Sequence, residues 1–181
     1  MTEIPTLIEE SGAIRYGKFK LSDGSLTDYY VDKYEFETSP QILKPIIDEI
    51  VQLLEDDQID VVAGPELGAV PLVTGVSLKT GIDSAFIRKG KKHHGTQARI
   101  EGNIQKGQRV AIIEDVTTTG DTILDTADVV EEIGGVVERL IVVVDRNAGA
   151  SEQVREAGYE LEFLAQVGSD FQVDSVEEVS G

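Results

Sequence analysis

The sequence predicts an α/β domain, a central parallel sheet flanked by helices, and three observations carry that expectation. Short apolar runs near residues 59–63, 83–87, 110–113, 139–144 and 161–167 alternate with stretches of helical periodicity. The runs at 110–113 and 139–144 are β-branched and apolar on both faces, as strands buried inside a parallel sheet are. At 181 residues the chain suits one domain with a sizeable core, and no repeat or linker divides it.

Composition narrows the function. The chain has no cysteine, which excludes disulfides and thiolate chemistry. Its longest apolar run, residues 140–144, is far short of the ~20 residues that span a bilayer. The first residues, with Glu3, Glu9 and Glu10, have neither the basic start nor the apolar segment of a signal peptide. A soluble cytoplasmic protein is expected. The net charge is −18, with 34 acids against 16 bases, which argues against a nucleic-acid-binding surface. Such an excess repels itself at low ionic strength, and at molar salt the screening length shrinks to ~3 Å. A high-salt cytoplasm is therefore the expected setting.

Residues 3–12 read as a short helix, with Ile4, Leu7 and Ile8 on one face and Gly12 as its stop. Residues 18–22 and 25–34 read as two extended segments around the hairpin signal Asp23-Gly24. Tyr29, Tyr30 and Tyr34 fall here and read as packing residues rather than a base-stacking platform. Ser39-Pro40 opens a helix to about residue 55, with Ile42, Leu43, Ile46, Ile47, Ile50, Val51 and Leu54 as its apolar stripe. A strand over 59–63 runs into the turn 64–68 and a helix over 69–79, where a second anion-binding turn would sit. That turn is not Gly-x-Gly-x-x-Gly. Gly102 and Gly107 have Walker spacing, but Gln108 replaces the lysine and a strand follows, so both nucleotide motifs are rejected.

After the strand at 83–87 the charge inverts. Five of the 16 bases lie between Arg88 and Arg99, with both histidines, and no acid falls between Asp83 and Glu101. A solvated surface loop is the plain account of a charge run. Against it, bases this dense repel one another until an anion pairs with them, and Gly90 and Gly95 permit a loop that closes. Residues 98–101 return as a strand.

Residues 108–135 form the most informative stretch. The apolar run 110–113 leads straight into Glu114 and Asp115, then Thr117-Thr118-Thr119-Gly120, then a helix with Ile123, Ala127 and Val130 on one face and Gly134-Gly135 at its end. A strand, small-residue loop and helix start present backbone N–H groups and a positive dipole end to a phosphate. An acidic pair beside that cradle would repel phosphate, so it serves sugar hydroxyls or a cation, and a phosphorylated sugar satisfies both halves. On spacing alone, strand termination by the two acids and helix capping by Thr119 remain open. Further on, the strand at 139–144 ends at Arg146, a candidate anion reader. A helix at 152–157, a strand at 161–167 and an acidic tail after Asp170 follow.

The stretch Val-Ala-Ile-Ile-Glu-Asp-Val-Thr-Thr-Thr-Gly-Asp-Thr resembles the phosphoribosyl diphosphate (PRPP) motif of type I phosphoribosyltransferases. The resemblance implies that Glu114 and Asp115 grip the ribose hydroxyls while Val116, Thr117, Thr118, Thr119, Gly120, Asp121 and Thr122 surround the 5′-phosphate. It also implies one domain over 1–181, with the helix and hairpin of residues 1–38 contributing to a small N-terminal hood. Phe-Ile-Arg-Lys-Gly-Lys-Lys-His-His-Gly resembles the flexible catalytic loop of orotate phosphoribosyltransferases, with Arg88, Lys89, Lys92 and His94 at its diphosphate contacts. The family implies a homodimer in which residues 88–99 reach the neighbouring active site. It also implies Mg²⁺ held mainly by PRPP and water. Arg146 would meet the orotate carboxylate. Thr118 stands where 6-oxopurine transferases carry an aspartate, and it favours a pyrimidine.

Two features depart from some members: Ser22 replaces a lysine, and residues 64–68 lack a tyrosine–lysine pair. A PRPP-sensing regulator of the same fold and a salvage transferase for another base are the competing expectations. Neither a DNA-binding segment nor a basic face supports the regulator.

Overall fold

The computed structural model describes residues 3–20, 26–90 and 99–172. Fourteen elements follow one another among them: α1 (Ile4–Glu10), β1 (Ile14–Lys20), β2 (Leu26–Val31), α2 (Tyr34–Glu37), α3 (Pro40–Leu54), β3 (Val61–Pro65), α4 (Ala69–Thr80), β4 (Asp83–Ile87), β5 (Ile100–Gly102), β6 (Arg109–Thr117), α5 (Asp121–Glu132), β7 (Val136–Asp145), α6 (Ala150–Glu156) and β8 (Leu161–Gln166). Six strands form one sheet in the order β5-β4-β3-β6-β7-β8. All neighbours are parallel except β5, which returns antiparallel along the edge of β4. The expected α/β architecture is what the chain adopts.

Two-residue periodicity divides the core between the two faces of the sheet. Ala111, Ile113, Ile141 and Val143 pack with Ile8 of α1, Ile46 and Ile50 of α3, and Leu72, Val73 and Val76 of α4. Val110, Ile112 and Leu140 pack on the other face with Ile123, Ala127 and Val130 of α5 and Val154 of α6. The α3 stripe read from sequence turns inward as expected, with Ile46, Ile50 and Leu54 buried and Ile42, Leu43, Ile47 and Val51 against them.

The antiparallel hairpin β1–β2 stands apart from the main sheet and joins the core through Ala13, Ile14 and Val31. It differs from the expected hairpin at both ends. β1 begins at Ile14 rather than at residue 18, because Gly17, at φ +147°, interrupts the alternation that would mark it. β2 ends at Val31, and Tyr34 opens the single helical turn α2, too short to show periodicity. Of the three tyrosines expected to pack, Tyr29 joins the core and Tyr30, though exposed, meets the Phe19 ring at 5.7 Å between centroids, while Tyr34 is exposed. β3 extends through Gly64 and Pro65, so the turn after it is shorter than expected.

The chain order reverses between β3 and β6. From β3 it steps outward to β4, then returns to the other side of β3 and proceeds to β7 and β8. At such a switch point the loops leaving the carboxyl ends of the two central strands diverge and leave a crevice. Glu114 to Gly120 lie at that end of β6, and the turn after Pro65 lies at that end of β3.

Candidate active site

The crevice takes its floor from β6. Ile112 and Ile113 are wholly buried, and the strand continues through Glu114, Asp115 and Thr117, which are buried as well. The acidic pair therefore belongs to the strand and does not terminate it. Glu114 Oε2 is buried and has no hydrogen-bond partner among the described residues. Burial, then the Asp115 charge, pushes the Glu114 carboxyl up to about 8, against the opposing pull of Lys89 and Lys33. A polar oxygen of this kind costs free energy until a donor reaches it. Sugar hydroxyls are such donors.

Asp115 has partners. Its Oδ1 accepts the backbone N–H of Val116 at 2.7 Å, and its Oδ2 accepts the ammonium of Lys33. Gly68, at the start of α4, makes that pair possible: a Cβ there would fall 1.6 Å from Asp115 Oδ2 and 2.5 Å from Lys33 Nζ.

Beyond the acids, Thr117 is buried, Val116 and Thr118 are half-buried, and Thr119 is exposed. The chain then turns through Gly120 at φ +90°, a left-handed conformation where a side chain would be strained and would press on Val154 and Ala150 of α6. α5 begins at the next residue, and the first N–H groups of a helix lack intrahelical acceptors. Thr119 caps no N–H of the helix. Its Oγ1 donates to Asp121 Oδ2 at 2.7 Å, and Gln153 Nε2 donates to Asp121 Oδ1 at 2.7 Å. These bonds hold Asp121 below its ordinary range and pin the turn to α6. Thr122, half-buried, completes the first turn and accepts the Thr126 hydroxyl at its carbonyl, 2.9 Å.

Parallel pairing of β6 with β7 sets Thr117 beside Asp145, and the Arg146 N–H donates to the Thr117 carbonyl at 3.0 Å. Arg146 thus reaches the phosphate-type turn although 29 positions separate it from Thr117. The Arg146 guanidinium carbon lies 4.8 Å from the centre of the Tyr29 ring, and its Nε donates to Tyr29 Oη at 3.2 Å. The hairpin therefore supplies the wall opposite β7.

β4 delivers Arg88 and Lys89 to the same edge, both exposed. Lys89 donates its backbone N–H to Glu66 Oε1 at 3.1 Å, and Arg88 pairs with Glu101 at 3.3 Å. Arg99 closes the base of this segment: its Nε donates to the Arg88 carbonyl at 3.1 Å and its guanidinium grips Asp125 of α5. Lys92 and His94, expected at the diphosphate, lie outside the described residues, as do Ser22 and most of the acidic tail.

Lys33, Glu37 and Tyr29 were not legible as site residues. Lys33 sits among Asp32, Glu35 and Glu37, where a lone base reads as surface charge, and its partner is 82 positions away. A separate groove of ≈ 960 Å³ lies between α1, α3 and β8. Its lining carries four acids, Glu3, Asp48, Glu49 and Glu162, against one base, Lys44, a balance unsuited to a phosphate.

The phosphoribosyl transferase domain family matches residues 33–167. The chain is 45% identical over 155 residues to the orotate phosphoribosyltransferase of Methanopyrus kandleri, covering 86% of this chain and 83% of that one. It is 40% identical to the orotate phosphoribosyltransferase of Natronomonas pharaonis, covering 95% and 97%. Among solved structures, the Aeropyrum pernix orotate phosphoribosyltransferase superposes with a TM-score of 0.83 at 27% identity, over 92% of this chain and 95% of that one. The Mycobacterium tuberculosis orotate phosphoribosyltransferase in complex with PRPP gives 0.77 at 30% identity, over 93% and 98%.

Proposed function

The chain belongs to the orotate phosphoribosyltransferases of the phosphoribosyl transferase domain family, and from that premise we propose that it transfers the ribose 5-phosphate of PRPP to orotate. The products are orotidine 5′-phosphate and diphosphate, a step in pyrimidine (UMP) biosynthesis. The observation that carries the reading is the carboxyl oxygen of Glu114, buried and unpartnered among the described residues, three residues before a Thr117–Gly120 turn that opens onto the start of α5.

In the reaction the bond from the anomeric carbon to diphosphate breaks as the bond to the orotate ring nitrogen forms. The transition state carries oxocarbenium character, so no covalent nucleophile on the protein is required. Catalysis rests on position and on charge. Glu114 and Asp115 hold the ribose hydroxyls, and residues 116–122 hold the 5′-phosphate with backbone N–H and threonine hydroxyl groups. Arg146 pairs with the orotate carboxylate, and Thr118 bonds a ring oxygen. Arg88, Lys89, Lys92 and His94 neutralise the departing diphosphate, with residues 88–99 reaching the neighbouring site of a homodimer.

Mg²⁺ suits this donor set as a partner of the substrate. It prefers phosphate oxygens and water to an all-protein cage, and the acidic pair offers hard oxygens beside the crevice. Held mainly by PRPP and water, it would neutralise charge on the diphosphate. The acid excess fits a cytoplasm of high salt, where screening relieves self-repulsion.

The test offers purified protein PRPP and Mg²⁺ in molar KCl with orotate, uracil, hypoxanthine, guanine or adenine in parallel. Consumption of orotate alone is expected. Turnover of another base would make it a salvage enzyme, and PRPP binding without turnover of any base would make it a sensor.

A further inference from the structure

The turn of helix α2 places two ionisable side chains beneath the acidic pair, and neither has been assigned a contact with substrate. Lys33 starts the turn and Glu37 ends it, joined by the Glu37 N–H to Lys33 carbonyl bond at 2.9 Å. Phe36 between them is wholly buried and docks the turn against the core. Lys33 Nζ is bonded to Asp115 Oδ2, and Glu37 is 4% exposed with its Oε1 buried and unpartnered among the described residues.

We infer that Lys33 and Glu37 are positioning residues for Asp115, fixing the charge and orientation of one of the two carboxylates that receive the ribose. The inference rests on the reading of residues 114–120 as the sugar phosphate site. Three carboxyl groups, Glu37, Glu114 and Asp115, share a desolvated corner, and three full charges there would repel. Lys33 supplies one balancing charge. Burial lowers the affinity of Lys33 for its proton, but the bond and charge of Asp115 outweigh that and raise it. Burial, then hydrogen bonding with Asp115, raises the Glu37 carboxyl above its ordinary range, and in its protonated form it would donate to Asp115. With Val116 N–H on Oδ1, Asp115 is tied from β6 itself and from α2, while both oxygens keep lone pairs for sugar hydroxyls. Glycine at position 68 leaves the room this arrangement occupies.

The experiment measures PRPP affinity by calorimetry without orotate, in molar KCl with Mg²⁺, alongside the melting temperature of each variant. Lys33→Met should weaken PRPP about tenfold, the scale of one lost charge-assisted hydrogen bond. Lys33→Arg should restore most of that, and the KM for orotate should hold within twofold. In an Asp115→Asn background, Lys33→Met should cost nothing further, since Lys33 acts through Asp115. Wild-type affinity in Lys33→Met overturns the inference, and so do losses that simply add, which would mark a direct substrate contact. Should Lys33→Met fail to fold, Glu37 carries the test. Glu37→Gln, which keeps a donor, should match wild type, and Glu37→Leu should weaken PRPP several-fold; equal affinities in the two overturn the inference. Wild-type protein that binds PRPP but leaves orotate unconsumed would end the transferase reading alone. Failure to bind PRPP would end both.

Discussion

Arg146 and Tyr29 hold each other across the crevice. The guanidinium stacks over the ring at 4.8 Å, its Nε donates to the phenol oxygen, and the phenol donates to the Arg146 carbonyl at 3.3 Å. The stack fixes a cation that would otherwise sample many rotamers, at a worth of roughly 0.5–2 kcal/mol. Tyr29→Leu should therefore raise the KM for orotate about fivefold and leave the KM for PRPP unchanged. Tyr29→Phe keeps the ring and should fall between. Steady-state kinetics with each substrate varied checks both; equal effects on the two substrates would detach Arg146 from orotate.

The basic segment after β4 is expected to act on the leaving group. Lys92→Ala should lower turnover about 10²–10³-fold, as removal of a transition-state donor does, with its melting temperature unchanged. Stopped-flow or steady-state turnover beside a thermal melt decides it. Unchanged turnover would remove this segment from the mechanism.

Glu114 ties stability to pH. Burial raises the Glu114 carboxyl of the folded protein to about 8, against an ordinary value of 4.5 that the unfolded chain retains. Between those values the native state binds the extra proton, so the stability gained from keeping Glu114 neutral is complete below the lower value and is lost as pH rises towards 8. Asp115, Lys33 and Lys89 face this carboxyl and stay in place in Glu114→Gln. That variant should lose part of the decline, on the order of a few kcal/mol between pH 5 and 8. Urea unfolding of both proteins across the range reads the difference. Parallel curves would mean that Glu114 is ionised in the folded protein.

The net charge of −18 makes a prediction independent of the site. Melting temperature should rise as KCl goes from dilute to molar, because the screening length falls from ~30 Å at 0.01 M to ~3 Å at 1 M. A flat or falling profile would remove the high-salt setting.

Particular residues show how much of this was legible in the sequence. The strand–turn–helix at 110–132 was readable because its signals are contiguous: an apolar run, two acids, small hydroxyl residues, a glycine, then Ile123, Ala127 and Val130 on one face. Arg146 was placed by the end of its strand and by family resemblance, but its neighbour Tyr29 comes from the N-terminal hairpin, and only the fold joins them. Lys33 and Glu37 sit in a four-residue helix that no periodicity marks, and an acidic local sequence hides a base whose partner is remote. β5 ran against the parallel pattern because a three-residue edge strand carries too few side chains to declare its direction.

A crystal structure of the protein with PRPP and Mg²⁺ bound decides whether residues 114–122 seat the sugar phosphate. Ribose hydroxyls should lie within hydrogen-bond distance of Glu114 and Asp115, with the 5′-phosphate enclosed by residues 117–122. PRPP lodged elsewhere, with that crevice empty, would contradict this placement.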